Sequence, residues 1–212
     1  MARLPDQPPA SAAPVQADGD AKLLLTGYLP GHLVEGSDHE RQPETYRQAG
    51  ELLARFHAQT AVRDEDFEAR IQQKTLIWLD GSHRIDPDLV VRLRAIVRSW
   101  PTASAVLVPT HGDWQPRNWL VHDDVISVID FGRADLRPAM TDFTRLAAQQ
   151  FRDDPTLEAA FWSGYGPDPR EPETWQRHRL YEAILTAVWA YQVGDEAFEA
   201  QGHRMIAEAL PG

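Results

Sequence analysis

A chain of 212 residues with 42% hydrophobic content can bury one substantial core, alone or with a short appendage, without a disulfide scaffold. It has no cysteine, which excludes disulfides, cysteine-ligated metals and thiol nucleophiles and agrees with a reducing, cytoplasmic location. Its 32 acidic residues against 21 basic give a net charge of −11, which argues against nucleic-acid and anionic-membrane partners and tilts mildly toward a cationic ligand; the longest apolar run, Ile184 to Tyr191, is too short to span a bilayer.

Residues 1–12 are rich in Pro, Ala and Ser without periodicity and read as a mobile tail. "APVQA" and "AKLLLT", joined through Asp18-Gly19-Asp20, read as a β-hairpin, and "GYLPG" (27–31) as the turn that redirects the chain. After Pro43, the spacing of Tyr46, Ala49, Leu52, Leu53 and Phe56 predicts an amphipathic helix. Asp86 before Pro87 is a helix-start signal, and Leu89, Val90, Leu93, Ile96, Val97 and Trp100 give a second helix its apolar face. "AVLVPT", "NWLV" and "VISVID" are short and β-branched, with His122-Asp123-Asp124 turning the last two into a hairpin. Beyond Pro138 the pattern is helical again: Phe143, Leu146, Ala147 and Phe151 on one helix, then "PTLEAAFWSGY", "ETWQRHRLYEAILTAVWAYQ" and "EAFEAQGHRMIAEAL". The expected fold class is α+β, mainly helical, with a small β insertion carrying the polar groups.

That insertion, Pro109 to Asp135, places His111, Asp113, Asn118 and Asp130 on loops at strand ends, where rigid elements can aim several oxygens at one point. Phosphoryl transfer uses such a set: one carboxylate accepts the acceptor hydroxyl's proton, while an amide oxygen and a second carboxylate hold Mg2+ against the ATP phosphates. An Asp followed by Asn five places on is common by chance. The joint pattern is not: His-Gly-Asp, then Asn and an apolar run, then a strand delivering Asp130 before Phe131-Gly132.

On these residues the chain resembles the aminoglycoside phosphotransferase and choline kinase family, which has a protein-kinase-like fold. "LLLTGYLPG" resembles that family's last N-lobe strand and hinge, and "ELLARFHA" a helix of its C-lobe. The resemblance implies a hairpin and hinge over 13–31 and a C-lobe over 32–212. It implies Asp113 as catalytic base, Asn118 and Asp130 as metal ligands, and His111 and Asp142 as structural support, Asp142 starting a helix and hydrogen-bonding the catalytic loop. It also implies that the backbone at Thr26 and Tyr28 meets the adenine edge, over an apolar floor of Leu120 and Ile129. The cofactors implied are ATP and Mg2+, and the partner a small hydroxylated acceptor such as an aminoglycoside.

The sequence departs from that pattern before the hinge. No glycine-rich phosphate loop is visible there, and the only lysine before the hinge, Lys22, stands on the strand leading to the hinge rather than at the family's phosphate-binding position. Most of the N-lobe is therefore expected to be absent, through a late start, natural shortening or a partner that supplies it, with a loss of orders of magnitude in rate. A remnant hairpin with an open edge is expected to pack on the body or pair with a second copy as a homodimer. Two other readings are a pseudokinase that binds without transfer, and a metal-dependent hydrolase using His111, Asp113, His122 and Asp130.

Overall fold

A computed structural model describes residue 11, residues 14–18 and residues 23–210. The expected tail at 1–12 apart from Ser11, the Gly19-Asp20 turn and Lys22 lie outside the described residues. In chain order the elements are β1 (Pro14–Asp18), β2 (Leu23–Thr26), β3 (His32–Leu33), α1 (Pro43–His57), β4 (Val62–Asp64), α2 (Phe67–Asp80), α3 (Pro87–Arg98), β5 (Ala105–Thr110), β6 (Trp119–His122), β7 (Val125–Val128), β8 (Asp135–Arg137), α4 (Thr144–Ala148), α5 (Gln150–Asp153), α6 (Pro155–Tyr165), α7 (Pro172–Val193) and α8 (Glu196–Ala209). The fold is α+β and mainly helical. Its described residues form two units: one of residues up to Thr60, Pro109–Leu136 and Arg145–Asp168, the other of Ala61–Val108, Arg137–Thr144 and the residues from Pro169.

In the first unit, β1 and β2 pair antiparallel as the expected hairpin, with an irregularity between Pro14 and Gln16. Helix α1 starts on Pro43 and buries Tyr46, Ala49 and Leu53 along one stripe, as their spacing requires. It packs on α6 at Gly164, where an added Cβ would lie 1.9 Å from the Arg47 carbonyl oxygen. Only a residue without a side chain lets the two backbones meet there. The sheet β3-β6-β7 is antiparallel, with His32 opposite Val121 and Leu120 opposite Ser127. Its β6–β7 turn holds Asp123 and Asp124 at positive φ, as a two-residue hairpin loop matching the right-handed strand twist requires.

In the second unit, α7 and α8 lie against each other, and Leu79, Ile85, Leu93, Val97, Ile184, Val188 and Ile206 share one buried cluster. Each such side chain contributes roughly 1.5–3 kcal/mol by leaving water. Helix α3 begins as expected: Asp86 Oδ1 accepts from the backbone N–H groups of Asp88 at 3.0 Å and Leu89 at 3.1 Å. Helix α2 is not foreseen by the sequence reading. Its buried face carries Phe67, Thr75 and Leu79 with Glu68, which meets His178 Nε2 at 3.0 Å, so polar residues interrupt the apolar stripe that would announce it.

The single helix expected over Phe143 to Phe151 is broken. Residues Ala139–Phe143 form a 3-10 turn, followed by α4 and α5, and at Gln149 the backbone leaves the helical region at φ −125°, ψ −93°. The break lets Phe151 face Tyr46 and Phe161, with ring centroids 6.2 and 5.5 Å away, an arrangement that stabilises the turn through aromatic burial. Among the described residues no helix is long and apolar enough to cross a membrane.

Candidate active site

The residues singled out between Pro109 and Asp135 fall within the first unit and are tied together by backbone geometry. Strand β5 ends at Thr110, whose hydroxyl donates to the Asp135 carbonyl at 2.8 Å. Gly112, at φ +79°, turns the chain, and a 3-10 turn over Pro116–Asn118 delivers it into β6. The Ile129 N–H then donates to the Asn118 carbonyl at 3.0 Å, bringing the exit of β7 beside the start of β6. His111 locks the same junction. Its Nδ1 accepts from the Asp113 N–H at 3.3 Å, so Nε2 carries the proton and donates to the Ile129 carbonyl at 2.9 Å. The ring is fully buried against Phe131 and Trp114.

Asp113 is buried, and its carboxylate accepts from three side chains and pairs with the charge of a fourth. Oδ1 accepts from Gln115 Nε2 at 2.5 Å and forms an ion pair with Arg145, whose Nε is 2.9 Å away; Oδ2 accepts from Arg117 Nη2 at 2.7 Å and Asn118 Nδ2 at 2.9 Å. Burial pushes the Asp113 carboxyl up, but the Arg117 hydrogen bond, the charges of Arg145 and Arg117 and the Asn118 bond together outweigh it and hold the pKa below the usual aspartate value. Asp113 is therefore an anion at neutral pH.

Asn118 Nδ2 also donates to the Asp113 backbone carbonyl, at 2.8 Å. With its nitrogen committed twice, the amide presents its oxygen elsewhere. Asp130 follows directly on the Ile129 junction and is exposed, in the left-handed region at φ 62°, ψ 65°, a conformation costly for a residue with a side chain. One of its oxygens accepts from the Gly132 N–H at 3.3 Å, leaving the other available. One amide oxygen and one carboxylate suit a hard divalent cation that keeps waters and shares the phosphates of a nucleotide, as Mg2+ does. Among the described residues no group of three or more His, Cys, Asp or Glu is placed to hold a metal, and both ring nitrogens of His111 are engaged. The hydrolase reading, with a ligand set of His111, Asp113, His122 and Asp130, finds no support in this arrangement.

Strand register puts Leu33, Leu120, Ser127 and Ile129 on one face of the β3-β6-β7 sheet, with Leu120 and Ile129 half-buried and Leu33 exposed. The 27–31 segment runs beside this sheet. Gly31, at φ +123°, approaches so closely that a Cβ there would sit 2.6 Å from the Val121 carbonyl oxygen. Thr26 ends β2, and Tyr28 is 87% exposed, its side chain turned to solvent.

With this geometry in place, the comparisons are decisive about kinship. The phosphotransferase enzyme family, APH, matches residues 2–181. The chain belongs to that family. Among solved structures, this phosphotransferase family member is similar to a choline/ethanolamine kinase family protein from Mesorhizobium loti, at 17% identity and TM-score 0.66, over 94% of this chain and 72% of that one. It is similar to choline kinase LicA from Streptococcus pneumoniae, at 14% identity and TM-score 0.69, over 94% and 74% of the two chains, and LicA also has a structure in complex with AMP. The macrolide 2'-phosphotransferase MphH from Brachybacterium faecium matches at 17% identity and TM-score 0.58, over 92% and 72%. At these identities the likeness establishes the kinase-like fold. No curated protein matches significantly.

Three side chains around the Asp113 carboxylate of this family member, Gln115, Arg117 and Arg145, carry no signal of their own in the sequence motif. Gln115 and Arg117 stand inside the quoted motif, two and four residues beyond Asp113, and a cation one turn from a buried carboxylate could have drawn notice. Arg145 comes from α4, and no local pattern announces it. Leu33 likewise carries none, since only strand register brings it onto the face of Leu120. Asp142 is buried in the 3-10 turn Ala139–Phe143, in the second unit.

Proposed function

We propose that this chain is an ATP-dependent O-phosphotransferase of a small hydroxylated acceptor. The observation that carries the reading is the buried, ionised Asp113 bonded to the amide nitrogen of Asn118, next to the junction that presents Asp130. Transfer of a phosphoryl group through a loose transition state asks little covalent chemistry of a protein, so positioning and charge carry the reaction. Asp113, with its lowered pKa, orients the acceptor hydroxyl and takes its proton late, as the oxygen becomes bonded to phosphorus. Asn118 and Asp130 would hold Mg2+, which when bound supplies charge neutralisation on the nucleotide phosphates. The half-buried face of Leu120 and Ile129 would lie beneath the adenine, with the backbone at Thr26 and Tyr28 along its edge; the AMP complex of LicA supports a nucleotide at this fold. Relatives named for choline, ethanolamine and macrolides support a hydroxyl acceptor, and the net charge of −11 favours a cationic one.

Calorimetric titration with MgATP, followed by a transfer assay over a panel of hydroxylated amines, tests this directly. Binding and turnover are expected, and Asp113→Asn should lower the turnover rate by roughly 10²- to 10⁴-fold. No nucleotide binding would sink the reading. The three hydrogen bonds and the Arg145 ion pair on Asp113 favour one rival, a binding module that does not transfer. Binding without turnover on any acceptor selects it.

A further inference from the structure

Arg145 stands beside the Asp113 carboxylate without a hydrogen bond of its own. Its Nε lies 2.9 Å from Oδ1 as an ion pair, and among the described residues no acceptor takes any of its N–H groups. Its side chain is only 22% exposed, so most of it has left water. A guanidinium carries its N–H donors in a fixed fork and does not deprotonate in a protein, and donors withheld from both water and partners cost free energy. Such a group is kept for a ligand or for the charge it lends.

The need for a counter-ion does not account for Arg145. Arg117 already pairs with the same carboxylate, donating through Nη2 to Oδ2 at 2.7 Å, and Asn118 holds that oxygen as well. Two guanidiniums therefore share one carboxylate, which leaves a surplus of positive charge where Asp113 is proposed to act. Oδ1 accepts one hydrogen bond, from Gln115, so a lone-pair direction stays open to the acceptor hydroxyl next to Arg145. A hydroxyl oxygen bound there lies about 2.7 Å from the carboxylate, and the phosphorus it attacks about 3–3.5 Å further on. The phosphoryl oxygens then come within reach of the unused N–H groups of Arg145.

We propose that Arg145 is a further catalytic residue, its guanidinium taking the γ-phosphoryl oxygens of the bound nucleotide and holding them through transfer. The proposal rests on the phosphotransferase reading above. Arg117, Gln115 and Asn118 keep their hydrogen bonds to the carboxylate throughout, so no contact of Asp113 has to break. A planar guanidinium with paired N–H donors suits phosphoryl oxygens. In the step itself the acceptor oxygen bonds to the γ-phosphorus and the bond from that phosphorus to the ADP oxygen breaks. The acceptor proton goes to Asp113 and from there to solvent, and ADP departs with the electron pair.

Because the contact is made to the bound nucleotide before any acceptor arrives, calorimetric titration of the intact chain with MgADP and with the non-hydrolysable MgAMPPNP reads it. The wild type is expected to bind AMPPNP about tenfold more tightly than ADP, the difference a charge-assisted bond to the γ-phosphate supplies. Arg145→Gln should abolish that preference with ADP affinity unchanged. Arg145→Lys keeps the charge and the fold but not the planar pair of donors, and should retain about threefold; should the Gln variant fail to fold, the Lys variant decides. In the transfer assay at pH 8, well above the range in which an aspartate titrates, Arg145→Gln should lower kcat about 100-fold with the acceptor KM unchanged, whereas a counter-ion part alone would leave kcat intact there. A wild type that binds both nucleotides equally, a Gln or Lys variant that keeps the full preference, or an unchanged kcat at pH 8 overturns the assignment of Arg145 alone. A wild type that binds neither nucleotide overturns the phosphotransferase reading with it.

Discussion

Replacing Arg145 by Gln removes one positive charge from beside a buried carboxylate while keeping a neutral side chain of related shape. Arg145 Nε lies 2.9 Å from Asp113 Oδ1, and the Asp113 side chain is 5% exposed. Charges about 4 Å apart attract by about 4 kcal/mol at an effective dielectric of 20, but folding forfeits part of the hydration of Arg145, and Arg117 remains. A net loss of about 2 kcal/mol at pH 7 follows, the part of that attraction left after the lost hydration. The loss should depend on pH in a definite direction. The folded pKa of Asp113 is depressed, so the stabilisation is complete above the ordinary aspartate pKa of about 3.9 and fades as pH falls through the lower folded value. Urea unfolding of both proteins, from pH 7 down through the folded pKa of Asp113, measures this. The midpoints should differ by about 1 M at pH 7 and converge in acid. A gap of equal size at both ends would refute the assignment of that stability to an ionised Asp113.

Gly164→Ala should force α1 and α6 apart, since its Cβ would fall 1.9 Å from the backbone oxygen of Arg47, which cannot yield as a side-chain end could. A cost of about 1–3 kcal/mol is expected, read as a fall of roughly 3–10 °C in melting temperature; an unchanged melt would contradict the close crossing. His178→Ala should cost about 3–5 kcal/mol in chemical denaturation by leaving the buried Glu68 carboxylate without the imidazole 3.0 Å away. Glu68→Gln keeps a hydrogen-bonding side chain there and should cost about 1 kcal/mol; equal losses from the two variants would show that packing rather than the pair carries the site.

The helices that bury a continuous apolar stripe were legible from spacing alone, as with Tyr46, Ala49 and Leu53 in α1 or Leu93 and Val97 in α3, because burial of one face imposes the 3.6-residue period on the residues themselves. Helix α2 was not, because Glu68 and Thr75 occupy its buried face and Glu68 is made tolerable there by His178, 110 residues further on. The span from Phe143 to Phe151 reads as one helix because its apolar period continues through Gln149, where the backbone instead turns so that Phe151 can reach Tyr46 and Phe161.

In the site, the polar set His111, Asp113, Asn118 and Asp130 and the hairpin joining it could be read directly, since turns and strand ends write their needs into neighbouring residues. What surrounds Asp113 could not. The arrival of Arg145 beside Oδ1 and the alignment of Leu33 with Leu120 depend on where α4 and β3 come to rest, and the charge balance around one carboxylate is a sum over side chains from separate segments. Local chemistry is encoded within a few residues of chain. The pairing of a buried charge is decided by distant elements converging, which no short window of sequence contains.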